Sequence, residues 1–107
     1  MLSKYPMYML LGCSLLGSSL TMATVSADNV PVKSKMCAGC HGVNGISPSP
    51  TIPNLAGQKR AYLIREINDY RSGDRTDPMM SKVAKALNDD DVEELAEYFS
   101  QLRVAED

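Results

Sequence analysis

Apolar residues recur at helical spacing in this chain, and no strand-like alternation runs far enough to predict a sheet. The clearest stretch lies near the C-terminus, where Val92, Leu95, Ala96, Phe99 and Leu102 form one stripe and Glu93, Glu94, Glu97 and Arg103 lie mostly off it. Asn88 is a favourable N-cap for this helix, and Asp89, Asp90 and Asp91 fill a first turn that suits carboxylates. Leu87 and Val92 flank that turn as a hydrophobic staple. A second helix is expected over residues 58–72, with Leu63, Ile67 and Tyr70 on one face and Gly73 as a left-handed stop. Shorter helical pieces are expected over residues 32–38 and around residues 81–87. The pattern therefore predicts an all-α domain of three to four short helices.

Ahead of these elements the chain has a different character. Lys4 precedes an apolar stretch from Met7 to Leu20, and Val25-Ser26-Ala27 supplies a small-residue cleavage site. Residues 1–27 are thus expected to be an export signal, and residues 28–107 the domain itself. Glycines and serines interrupt the apolar stretch, which is too short and weak for a membrane span. Leu10-Leu11-Gly12-Cys13 offers a rival, because it resembles a bacterial lipid-attachment box that would make Cys13 the mature N-terminus. The early position of Cys13, with apolar sequence continuing past it, favours the cleaved signal. An uncleaved N-terminal anchor ranks below both.

The 80 residues left after cleavage hold ten Lys and Arg against thirteen Asp and Glu, since Lys4 goes with the leader. The formal charge of −3 and the lack of a basic stripe give nucleic-acid binding no footing. A domain of this size buries limited surface and usually needs a staple. Cys37 and Cys40, only two residues apart, would restrict the unfolded chain little as a disulfide. Residues 42–57, with Pro48, Pro50 and Pro53 and glycines at 42, 45 and 57, make a long segment without helical pattern. Such a loop in a small domain is usually functional, and wrapping a large apolar group would order it.

Cys37-Ala38-Gly39-Cys40-His41 supplies that group, because it is the attachment signature of c-type haem. Two thiols three positions apart can each form a thioether with one vinyl group, and the adjacent histidine can offer its imidazole to the iron. A redox dithiol would expect a βαβ setting, which the pattern lacks. A zinc site needs about four ligands, more than these residues offer. His41 is the only histidine, so a second histidine ligand from the same chain is excluded. Lys and Tyr stay chemically open for the other side of the iron, but methionine is the common choice in electron carriers. Met36, Met79 and Met80 remain after the signal is removed, and Met36 directly precedes the attachment motif. The choice narrows to Met79 and Met80, in an apparent loop after Asp77-Pro78.

Further short segments join the haem motif: Ile52-Pro53-Asn54-Leu55-Ala56-Gly57-Gln58, Tyr62-Leu63, Tyr70-Arg71-Ser72-Gly73-Asp74-Arg75, Met79-Met80-Ser81 and Leu95-Ala96-Glu97-Tyr98-Phe99. With them, residues 32–102 resemble a class I bacterial c-type cytochrome. The combination is similar to the domains of periplasmic dihaem cytochromes, to their small monohaem relatives and to the cytochrome subunit of flavocytochrome c sulfide dehydrogenases. The resemblance implies the class I cytochrome c fold, with N- and C-terminal helices crossing beside one covalently bound haem. It also implies Met80 as iron ligand opposite His41, with Met79 as the fallback, and the Pro53 carbonyl as acceptor for the His41 ring N–H. Pro31 shortens the stretch before Cys37, so the first helix should be abbreviated and its contact with the last one thin.

The function expected is periplasmic transport of single electrons, by a non-enzymatic monomer that meets redox partner proteins and is not inserted in a membrane once the signal is cleaved. The alternatives are a relay subunit of a flavoprotein oxidoreductase and, further off, a gas-binding or peroxidatic haem protein. Cleavage after Ala27 predicts a mature protein that begins at Asp28 and carries no lipid. Intact-mass measurement of the native protein checks this, and a lipidated Cys13 would contradict it.

Overall fold

The computed structural model describes residues 12, 17, 18 and 29–104. Cys13, the cleavage site at Ala27 and the start at Asp28 lie outside the described residues. Within them the fold consists of four helices and no strand: α1 (Ser34–His41), α2 (Arg60–Ser72), α3 (Met80–Lys85) and α4 (Asp89–Gln101).

Helix α4 begins where its capping residues require. The Asn88 side chain accepts from the Asp91 N–H at 2.8 Å, and the Asp91 carboxylate accepts from the Asn88 N–H at 2.9 Å, closing a capping box. Leu87 and Val92, on either side of that box, are both buried in the core. Helix α2 ends at Gly73, whose φ of 90° and ψ of 6° are left-handed, and whose N–H bonds to Asp69 O at 3.1 Å. It starts two residues later than the pattern predicts, because the Gln58 N–H turns back to Leu55 O at 3.2 Å.

Helix α1 is displaced more. It starts at Ser34 and not Val32, since the Ser34 N–H closes a turn onto Pro31 O at 2.9 Å. It then runs beyond Ala38 to His41, so the cysteine pair lies within the helix and does not follow it. Helix α3 likewise begins earlier than expected, taking Met80 out of the loop assigned to it.

Leu63, Leu87, Val92, Leu95, Ala96 and Phe99 form the buried cluster, with Cys37, Leu55, Ile64, Ile67, Tyr98 and Leu102 packed around it. Helix α2 is the hub, packing broadly against α4 and α3. The contact between α1 and α4 is thin, as the abbreviated first helix predicts. A salt bridge from Lys33 to Asp91 joins the start of α1 to the first turn of α4. That lysine, then the Asn88 N–H, hold the Asp91 carboxyl below its ordinary range.

Asn88→Ala removes one half of the capping box without touching the core. The substitution should cost about 1 kcal/mol of stability. Chemical denaturation of the purified protein checks this, with an unchanged transition midpoint as the contrary result.

Candidate haem site

Residues three and four apart share a face of an α-helix. Within α1 that rule brings Cys37, Cys40 and His41 to one side, and all three line a single cleft. Cys40 is exposed and Cys37 half-buried, with its sulfur 3.9 Å from Lys33 O. Burial pushes the Cys37 thiol up to about 11, so it stays protonated at neutral pH. A redox dithiol needs the opposite, a thiol lowered until it ionises.

His41 is buried, and its Nδ1 lies 2.7 Å from the Pro53 carbonyl oxygen. A carbonyl can only accept, so Nδ1 carries the proton and Nε2 keeps its lone pair when the ring is neutral. The imidazole is thereby oriented and left with one free ligating nitrogen.

The loop from Gly42 to Gly57 brings Pro53 to that position. Gly42 has a φ of 85°, and a Cβ there would overlap the Ile46 carbonyl oxygen. The Gly45 carbonyl then accepts from both Leu55 N–H (2.8 Å) and Ala56 N–H (3.0 Å). Asn54 Oδ1 accepts from Ser47 N–H at 2.7 Å, and the Gly57 N–H reaches Phe99 O on α4 at 3.1 Å. These bonds give the long segment a fixed course without helix or strand.

The cleft measures about 730 Å³. Leu63 and Ile67 of α2, Val83 of α3, Leu87, and Leu95 and Phe99 of α4 supply apolar wall, so Ile67 and Tyr70 face it half-buried and are not sealed in the core. A cleft of this size and character suits one large, mainly apolar group with a few polar contacts. Met79 and Met80 both line it, with Met79 60 % exposed and Met80 half-buried. Met36 also reaches the cleft and is 43 % exposed. Two thiols, an oriented imidazole and thioether sulfurs thus converge on one apolar cleft, a donor set that fits haem c.

Other lining residues were not legible as site residues in the sequence. Glu66 and Arg75 pair with each other on the cleft, and the Arg75 guanidinium stacks 4.8 Å from the Tyr70 ring centroid. Charged residues twenty or more positions beyond the motif gave no signal. Asp77 also lines the cleft and accepts from the backbone N–H groups of Met80 and Met79, which hold its carboxyl below the ordinary range. The Asp-Pro pair was its available signal, since Asp followed by Pro is a helix-start pattern.

Comparison with known proteins places residues 32–103 within the family described as Cytochrome c. Cytochrome c4 of Pseudomonas aeruginosa is 34% identical over 88 residues, covering 82% of this chain and 44% of the relative. The cytochrome subunit of sulfide dehydrogenase from Chlorobaculum tepidum is 37% identical over 78 residues, covering 73% of this chain and 70% of the subunit. The crystal structure of reduced recombinant cytochrome c4 from Pseudomonas stutzeri superimposes with a TM-score of 0.59 at 39% identity, over 63% of this chain and 38% of that one. The chain thus spans less than half the length of several relatives it matches.

Gly42→Ala should cost about 2 kcal/mol or more, because it combines a left-handed φ with a backbone overlap. Gly39→Ala is the matched control: it lies in α1 with nothing within 4 Å of its added Cβ. That control should be neutral or slightly stabilising. Denaturation of both variants checks the pair, and equal stabilities would contradict the role given to the Gly42 turn.

Proposed function

We propose, from the premise that this chain belongs to the cytochrome c family and has the class I cytochrome fold, that it carries single electrons between redox proteins outside the cytoplasm. The observation that carries this reading is the buried His41, held by Pro53 with Nε2 free, beside two cysteines on the same cleft. In this reading Cys37 and Cys40 would hold one haem c through thioether bonds, and His41 and Met80 would ligate its iron. The bound group supplies reversible one-electron chemistry at iron.

The protein's own contribution is binding and tuning. Pro53 orients the imidazole as acceptor of the Nδ1 proton and leaves Nε2 free to ligate. Leu63, Ile67, Leu95 and Phe99, which line the cleft, would keep water from the bound group and lower the local dielectric. A methionine sulfur favours the reduced state and so a higher potential. With His41 and Met80 both assigned to the iron, no coordination site would be left for a substrate, which supports a carrier over an enzyme. No helix among the described residues is long and apolar enough to cross a membrane. Export by residues 1–27, with release of residues 28–107 into the periplasm as a monomer, completes the proposal.

Similarity to the cytochrome subunit of sulfide dehydrogenase supports a second reading, in which the same site relays electrons inside a complex with a flavoprotein. Both readings use the same ligands, and recovery of the native protein alone or with a flavoprotein separates them.

The ligand assignment is tested by the weak far-red absorption that sulfur ligation gives ferric haem. Met80→Ala should abolish the band and lower the reduction potential, while Met79→Ala should keep it. The reverse pattern would transfer the role to Met79, and no band in the unaltered protein would favour an open iron site.

A further inference from the structure

Helix α3 is only six residues long, and a helix this short does not sustain itself in water. Its first turn is nevertheless tied at several points. Asp77 Oδ1 accepts from the Met79 N–H at 2.9 Å and from the Met80 N–H at 2.8 Å. The Asp77 N–H donates in return to Ser81 Oγ at 3.0 Å, and the Asp77 carbonyl accepts from the Ser81 N–H at 3.1 Å. Pro78 has a fixed φ and no N–H of its own, so it suits the turn between cap and helix. Asp77 therefore acts as the cap of this turn, although regular helix begins at Met80.

The two capped donors belong to Met79 and Met80, which both line the cleft. Met80 is half-buried there, whereas Met79 is 60 % exposed. A thioether is a neutral, soft ligand with no charge to draw it to iron. How firmly it stays there depends on how firmly the backbone holds it in reach, as for any site held by supporting contacts.

We propose that Asp77 is a positioning residue for Met80: its cap on the Met79 and Met80 amides fixes the turn that presents the Met80 sulfur to the cleft and keeps outside ligands from displacing it. This rests on the assignment of Met80 as an axial ligand. Asp77 acts through the backbone of Met80 and not on the haem iron itself. Its effect is on the ease with which the sulfur leaves.

The experiment uses the full haem-loaded protein and imidazole as the competing ligand, followed by the loss of the far-red band in the ferric state. Asp77→Ala should retain the haem but bind imidazole roughly tenfold more tightly, the scale set by losing one helix cap. Asp77→Asn should restore most of the resistance, because its side-chain oxygen still accepts from both amides. Asn88→Ala removes a comparable cap from α4, remote in sequence from the methionines, and should leave imidazole affinity unchanged. The proposal is overturned if Asp77→Ala binds imidazole as the unaltered protein does. It is equally overturned if Asp77→Asn fails to rescue or if Asn88→Ala matches Asp77→Ala. A far-red band that survives Met80→Ala would instead remove the ligand assignment beneath the proposal, a result separable from these.

Discussion

The hydrogen bond from His41 to the Pro53 carbonyl joins the two parts of the molecule on which the site depends. On one side is a single short helix that carries both cysteines and the histidine. On the other is a loop with no regular structure that must still place one carbonyl at 2.7 Å from a ring nitrogen. The turn at Gly42 reverses the chain, the Gly45 carbonyl gathers Leu55 and Ala56, and Gly57 fastens the end of the loop to Phe99 on α4. The bond thus joins α1 to the loop, which Gly57 in turn fastens to α4, and it fixes which imidazole nitrogen remains free.

The rest of the fold can be understood as support for that arrangement. Helix α2 packs against both α3 and α4, and its Leu63 belongs to the buried cluster and to the cleft wall at once. Since α1 touches α4 only thinly, Cys37 packing on the core and the Lys33–Asp91 pair hold it in place. Exposed ion pairs such as Arg60–Glu97, at 3.0 Å, add little to stability by comparison. A large apolar group bonded to Cys37 and Cys40 would tie α1 to the walls formed by α2, α3 and α4. In this account the haem serves as both the redox group and the staple that a domain of this size requires.

Much of this was readable from residues alone, for identifiable reasons. Helix α4 combines a cap, an acidic first turn and a long apolar stripe, and independent signals that agree leave little freedom. Gly73 likewise marked the end of α2. The start of α1 is not legible in the sequence, because eight residues give too little periodicity and only the turn onto Pro31 decides where helix begins. The Met79-Met80 segment read as a loop because its cap lies at Asp77, before a proline, with no long apolar stripe after it. Ile67 and Tyr70 showed the helical spacing of core residues, but spacing does not distinguish a face turned to the core from one turned to a cleft. Glu66 and Arg75 meet only through the tertiary fold, nine positions apart and on either side of the Gly73 stop.

Covalent attachment of haem through Cys37 and Cys40 is tested by extracting the native protein with acidified organic solvent. The haem should stay with the polypeptide, and the peptide spanning Cys37 to His41 should carry its mass after digestion. Replacing both cysteines with serine should release the haem into the solvent. Haem extracted from the unaltered protein, or a Cys37–His41 peptide of unmodified mass, would rule out thioether attachment.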